Sequence, residues 1–352
     1  MRWAKRHLGS FAPRNLGMSG VRPLGADDLA LPAEVPYWAP EGEHGDPRLR
    51  EAVARHEGVE PERVFATAGT SLANFLVLLS EARGAPVAVE SPAYGSLPAT
   101  PPLLGGRATT FRRDEARGWR IDPDSLRSAL VPGTRLVVAT DLHNPSGAAL
   151  AQEDLALLVE EAGRVGARVL VDEVYRELSF LPRPSAAALD PRVVATSGLT
   201  KAHGLGGLRI GWILAPRDVV ERVSAVNDLV CPAHPTPSIA IALAYLPKAA
   251  EASERTRAEA AERLAVADAW VASREDVSWV RPAGGLTGLL RLRGAFDGDR
   301  LARHALARHG VQVIPGSFFG APGHVRVSYG LPPGDLRAAL DSLGRALDDL
   351  AA

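Results

Sequence analysis

With a single cysteine, Cys231, the chain cannot form an intrachain disulfide, and this fits a reducing compartment. Charge of one sign is also missing. Forty Lys and Arg stand against 41 Asp and Glu, so there is no basic footprint for nucleic acid or for an anionic membrane surface. No apolar run approaches the roughly eighteen residues that cross a bilayer, and the basic opening MRWAKRHLGSFAPRN has no apolar core of signal-peptide length. A soluble cytoplasmic protein is the expectation. Several catalytic signatures are absent too. The sequence has no GxSxG elbow, no phosphate loop closed by Lys-Ser/Thr, and no HExxH or similar spacing among its nine histidines. GLGGLR (204–209) lacks the third glycine of a dinucleotide fingerprint. Serine hydrolase, nucleotide hydrolase and metal-dependent chemistry are set aside, and no metal site is expected.

What is present is alternation. The 352 residues exceed what one core usually serves, which points to two unequal lobes. From residue 47 to about 245, short Val-rich runs bounded by Gly, Pro or Asp read as buried strands: RVFATAG (63–69), APVAVESP (85–92), RLVVATD (135–141), ARVLVDEVY (167–175), RVVATSG (192–198) and RIGWILAP (209–216). Amphipathic segments such as LANFLVLLSEA (72–82) and EDLALLVEEAGRVG (153–166) lie between them. This pattern predicts an α/β fold with a mostly parallel, doubly wound sheet covered on both faces. Beyond Pro247 it changes to a long Ala/Glu/Arg helix (249–273), strands at 285–292 and 324–330, and helices at 299–310 and 334–350. That region reads as a smaller α+β domain. The expected division is a large domain over 45–245, and a small one formed by 1–44 with 246–352.

Ligands of such a sheet sit beyond the carboxyl ends of its strands. The polar residues there are Gly69-Thr70-Ser71, Tyr94, Asn144, Asp172, Tyr175 and Lys201. A phosphate-type loop, an aromatic ring, an amide, a carboxylate, a phenol and an amine thus converge on one edge. Together they suit a planar, phosphorylated, nitrogen-bearing aldehyde. Lys201 is the most informative, because a lone lysine is almost never placed at the end of a buried strand without a task. Each of the others has an ordinary alternative: a helix cap for Thr70 or Ser71, a core ring for Tyr94, a plain turn for Asn144-Pro145-Ser146-Gly147, and a helix-capping aspartate with a core tyrosine for Asp172 and Tyr175; Arg209, eight residues past Lys201, could likewise form an ion pair.

Four motifs, in order over roughly residues 45–330, carry a resemblance: HNPSG (143–147), DEVY (172–175), KAHGLGGLR (201–209), and PGSFFG with VRVSYG (315–330). The chain resembles a fold-type I pyridoxal-phosphate enzyme of the class I/II aminotransferase family. The resemblance implies pyridoxal 5'-phosphate held as a Schiff base on Lys201, whose amine then shuttles the substrate's α-proton. It implies that Asp172 faces the ring nitrogen, that Tyr175 and Asn144 bond the phenolic oxygen, and that Tyr94 stacks on the ring. Gly69, Thr70, Ser71 and Arg209 would hold the phosphate. Arg326 would grip the substrate α-carboxylate, with Asn144 and Gly20, in the Met18-Ser19-Gly20-Val21 loop, beside it. The implied partners are an amino acid, a 2-oxo acid and a second copy of the chain, in a homodimer with active sites at the interface.

Two positions depart from the family. Gly198 stands where relatives carry a phosphate-binding serine, so Ser197 or Thr200 is expected to supply that hydroxyl. The cross-subunit tyrosine would fall near Pro40, with Tyr37, Trp38 and His44 as open substitutes. The resemblance implies amino transfer. The same cofactor also serves β-lyases, decarboxylases and oxidases, and the motifs do not separate these. A non-catalytic cofactor-binding regulator would need a DNA-binding domain for which this chain has no room.

Overall fold

The computed structural model describes residues 14–25, 28–29, 45–294 and 297–351. Strand β1 (Arg14–Asn15) comes first. It is followed by β2 (Val64–Thr67), β3 (Pro86–Ser91), β4 (Arg107–Asp114), β5 (Arg120–Ile121), β6 (Leu136–Thr140), β7 (Arg168–Asp172), β8 (Val193–Gly198) and β9 (Gly211–Leu214). These last eight form one sheet in the order β2-β9-β8-β7-β6-β3-β4-β5. β4, β3, β6, β7 and β8 run parallel, while β9 lies antiparallel between β8 and β2. The Val-rich centres of β6, β7 and β8 are buried on both sides, as expected of strands with helices on both faces. One face packs against helices Thr70–Ala82 and Arg217–Asn227, the other against Pro123–Ala129 and Gln152–Arg164.

The chain leaves β3 for β4 on one side and returns as β6 on the other. The strand order therefore reverses between β3 and β6, which opens a crevice at their carboxyl ends. Tyr94 follows β3, and Asn144 follows β6.

A second, antiparallel sheet has the order β10 (Val277–Ser278), β11 (Thr287–Leu292), β14 (His324–Ser328), β13 (Ile314–Pro315). β12 (Val311–Gln312) pairs instead with β1, in parallel. Helices Ala249–Ala272, Gly298–His309 and Pro333–Ala351 cover this part, and Leu16 is buried in the same core.

The predicted strands and helices are present, with ends shifted by a few residues. Several short elements were not anticipated, and two of them are β4 and the helix Ser96–Leu103. β4 escapes a periodicity reading because only Phe111 and Arg113 of its eight residues are buried, and all the rest except the half-buried Ala108 are polar or charged. The helix Ser96–Leu103 carries prolines at 98, 101 and 102, which read as breaks.

Candidate active site

A cavity of about 450 Å³ lies between the large sheet's carboxyl edge, the small sheet and the N-terminal segment. Of the residues singled out from the sequence, Gly20, Thr70, Ser71, Tyr94, Asn144, Asp172, Tyr175, Thr200, Lys201, Arg209 and Arg326 line it, whereas Ser197 and Gly198 do not, and Gly69 sits behind the Arg209 guanidinium. Tyr37, Trp38, Pro40 and His44 lie outside the described residues.

At the end of the cavity formed by Thr70 and Arg209, Gly69, Gly198 and Gly211 pack backbone against backbone. An added Cβ at Gly211 would come within 2.6 Å of the Gly69 carbonyl carbon, and one at Gly69 would strike the Arg209 guanidinium. This closeness brings the start of helix Thr70–Ala82 against the strand that leads to Lys201. The helix has no side-chain cap, so its N-terminal dipole is open to an anion. The Thr70 hydroxyl is buried without a hydrogen-bond partner. Arg209, in a left-handed backbone conformation (φ 54°), donates to the Gly206 and Ala68 carbonyls at 3.0 Å each. The guanidinium is thereby held beside Gly69 and Thr70.

The structure corrects part of the expectation at Gly198. Ser197 is buried and turned away, with its hydroxyl toward the Glu173 carbonyl at 3.4 Å, and it does not reach the cavity. Thr200 does line the cavity. Thr70 Oγ1 would lie only 3.0 Å from a Cβ at position 198, so its hydroxyl occupies the space a serine there would need.

Asp172 ends β7 inside the cavity. Asn74 Nδ2 donates to its Oδ2 at 2.7 Å and the Val174 N–H to its Oδ1 at 3.1 Å. Thr196 orients Asn74 by donating to its Oδ1 at 2.6 Å. Burial pushes the Asp172 carboxyl up, and the Asn74 and Val174 donors with the charge of Lys201 pull it back. A buried carboxylate in that balance suits a facing N–H cation. Asn74 and Thr196 were not foreseen. They sit on a helix and on a strand interior, where sequence alone offers no signal.

Lys201 Nζ donates to Ser19 Oγ at 3.0 Å. Arg326 of β14, which also lines the cavity, is buried. It donates through Nη1 to Asn144 Oδ1 at 3.0 Å and through Nη2 to the Gly17 carbonyl at 3.1 Å, while its Nε has no partner. Its guanidinium carbon lies 5.1 Å from the centroid of Phe319. Burial lowers its pKa, and a bound carboxylate would relieve that cost. Tyr175 is buried beside this group, and the half-buried Tyr94 hydroxyl is pushed up by burial.

Behind Asn144, an arginine on the unforeseen β4 braces the floor. Arg113 Nε pairs with Glu90 at 2.6 Å, its Nη2 donates to the Thr140 carbonyl at 3.0 Å, and the Thr140 hydroxyl donates to Glu90 and accepts from the Asn144 N–H at 3.2 Å. A second buried group shores the loop after Lys201. His56 and His203 both face one Glu177 oxygen, at 3.0 and 3.1 Å, with Tyr245 on the far side of His203. All their close polar atoms already have partners within the protein.

The residues therefore fit pyridoxal phosphate on observations of this cavity alone: an unpartnered hydroxyl at an open helix end, a buried carboxylate, an amine and a buried cation with a free N–H. They define a fold-type I pyridoxal-phosphate site. The sequence profile of "Aminotransferase class I and II" matches residues 42–343, and the chain belongs to that family.

Among characterised relatives, the capreomycidine synthase of Streptomyces vinaceus is 32% identical over 309 residues, covering 86% of this chain and 79% of its own. The aspartate aminotransferase of Geobacillus stearothermophilus is 30% identical over 335 residues, covering 88% and 84%. A pyridoxal-phosphate-dependent aminotransferase of Streptococcus suis superposes with a TM-score of 0.91 at 28% identity, covering 100% of this chain and 97% of that one. The chain is a pyridoxal-phosphate-dependent aminotransferase. No described helix is long and apolar enough to cross a membrane.

Proposed function

We propose that this site passes an amino group from an amino acid to a 2-oxo acid, with Lys201 holding the cofactor covalently and moving the α-proton. The carrying observation is that one cavity contains both the Lys201 amine, bonded to a serine hydroxyl, and the buried Arg326, whose Nε is free. Pyridoxal phosphate supplies, when bound, a conjugated ring that takes up the electron pair released at the substrate's α-carbon. Gly69, Thr70, Ser71 and Arg209 would bind the phosphate. Asp172, aimed by Asn74, would accept a hydrogen bond from the protonated ring nitrogen. Asn144 and Tyr175 would bond the phenolic oxygen, and Tyr94 would pack on the ring. Arg326, set by Asn144 and the Gly17 carbonyl, orients the α-carboxylate, and Gly20 forms the wall beside it. Around this site we assign residues 45–245 to the cofactor domain and 1–44 with 246–352 to the small one. By family resemblance, we assign a cytoplasmic homodimer with active sites at its interface.

The test is a half-reaction. The cofactor-loaded protein is mixed with single amino acids, and an accepted one bleaches the absorbance band and leaves stoichiometric pyridoxamine phosphate. A 2-oxo acid then restores the band. Steady ammonia release or oxygen consumption instead supports a β-lyase, decarboxylase or oxidase. That second reading is kept because one relative is named a synthase and not an aminotransferase. Borohydride reduction and peptide mapping of the same preparation place the label on Lys201.

Arg326→Lys keeps the charge and loses the planar fork. A hydrogen bond to a charged group contributes about 1.5–3 kcal/mol, so kcat/KM for the accepted amino acid should fall about tenfold to a hundredfold. An unchanged kcat/KM removes Arg326 from carboxylate recognition.

A further inference from the structure

Three consecutive residues of the N-terminal segment wrap Lys201, and no role in the reaction has been given to the first of them. Ser19 Oγ accepts from Lys201 Nζ at 3.0 Å. Gly20 lies flat against the stem, where an added Cβ would sit 3.3 Å from Lys201 Cδ and 3.5 Å from its Cα. The Val21 N–H donates to the Lys201 carbonyl at 3.0 Å. Side-chain head, stem and main chain of one lysine are thus each held by the next residue of one tripeptide.

That tripeptide is itself fixed at both ends. Toward the small sheet, the Gly17 carbonyl accepts from Arg326 Nη2 at 3.1 Å and the Leu16 carbonyl from the Ser328 N–H at 2.7 Å. Toward the Lys201 loop, the Leu24 N–H donates to the Gly204 carbonyl at 3.1 Å. A Cβ at Gly204 would run into the Arg22 carbonyl, so the two segments are in backbone contact there as well. The Ser19 hydroxyl therefore sits on a tethered backbone.

We infer that Ser19 is a positioning residue for Lys201, one that aims the lysine amine at the substrate's α-carbon while the amine is free of its bond to the cofactor. The inference rests on the proposed role of Lys201. The neutral lysine amine ends a flexible four-carbon stem and carries two N–H donors and one lone pair on a freely rotating head, so that lone pair has no preferred direction of its own. Proton transfer needs the accepting atom within hydrogen-bond reach and in line, and misplacement by an ångström is costly. The α-C–H bond breaks and its proton joins the Nζ lone pair. One N–H anchored on Ser19 Oγ leaves that lone pair directed elsewhere, and the resulting ammonium keeps the same acceptor. The hydroxyl bonds the charged amine more strongly than the neutral one, which favours proton capture.

The test compares Ser19→Ala and Ser19→Thr in the full-length, cofactor-loaded protein. Ser19→Ala should lower kcat about tenfold, with KM and the cofactor dissociation constant little changed. It should also raise the isotope effect on an α-deuterated amino acid, because proton transfer becomes more rate-limiting. Ser19→Thr restores most of kcat by returning the hydroxyl. A readout free of turnover is the rate at which the cofactor-stripped protein bonds added pyridoxal phosphate, followed by absorbance. This rate falls in Ser19→Ala if the amine has lost its aim. Unchanged kcat, isotope effect and capture rate overturn the inference. So does a loss of kcat that tracks a loss of cofactor binding and is not rescued by threonine, since that is a structural effect. Borohydride mapping separates this from the broader reading: label on Lys201 with no Ser19 effect defeats only the positioning role, whereas label elsewhere defeats the assignment of Lys201.

Discussion

Lys201→Ala is expected to bind pyridoxal phosphate and to lose almost all turnover. The other proposed cofactor contacts do not depend on the lysine. Arg209 is held by the Gly206 and Ala68 carbonyls, and Asp172 by Asn74 and the Val174 N–H. Equilibrium dialysis should therefore find cofactor still bound, without the absorbance of the covalent form. What disappears is the group that takes and returns the α-proton. A positioned acid–base side chain contributes about 10²–10⁴-fold to rate, and single-turnover measurements should show at least that loss. The cavity left by the side chain opens beside the Ser19 hydroxyl, so a small primary amine in the buffer should restore part of the rate in proportion to its concentration. Turnover close to that of the unmodified protein would mean that another group moves the proton, and the role of Lys201 would then be wrong.

How much of this was readable beforehand depends on what each residue does. β6, β7 and β8 are continuous Val-rich runs, because both faces of a central parallel strand are buried, and Asp172 and Lys201 stand out beside them as charges next to apolar sequence. Thr70, Tyr94, Asn144 and Tyr175 are legible for a related reason: they follow strands of a sheet whose ligands sit at strand ends. The residues that support them are not. Asn74 lies inside an ordinary apolar helix, and nothing local shows that it reaches Asp172. Arg113 sits in a strand that reads as polar surface, yet it pairs with Glu90 in the interior beneath Thr140. His56, Glu177 and His203 come from three distant segments, and only the folded chain brings both rings to one carboxylate oxygen. Ser19 was visible only as the neighbour of Gly20. Pairings between residues far apart in sequence leave no periodicity, and that is where the sequence reading stops.

Gly198→Ser should damage the protein, although it installs the serine that the family resemblance implies there. Gly198 does not have a positive φ, so its lack of a side chain is not required by its backbone conformation. The constraint is space. A Cβ at this position would lie 2.8 Å from Gly211 Cα, 2.8 Å from the Ile210 carbonyl oxygen and 3.0 Å from Thr70 Oγ1. The first two are backbone atoms of the neighbouring strand and its lead-in, paired in register with β8, so they cannot swing aside. Overpacking of this kind costs about 1–3 kcal/mol, which thermal or denaturant unfolding of the cofactor-free protein should show. The third contact concerns binding. Thr70 already fills the space that a serine at 198 would use, and its buried hydroxyl has no hydrogen-bond partner within the protein. Thr70→Ala should therefore weaken pyridoxal-phosphate binding about tenfold to a hundredfold, the worth of one hydrogen bond to a charged group. Thr70→Ser should keep most of the affinity. Ser197→Ala should leave the dissociation constant alone, because that hydroxyl points to the Glu173 carbonyl. If Thr70→Ala binds normally and Thr200→Ala does not, the phosphate hydroxyl comes from Thr200. If Gly198→Ser binds more tightly and unfolds no earlier, the strands at 198 and 211 yield more readily than their backbone contact implies, and the site has no substitute for the missing serine.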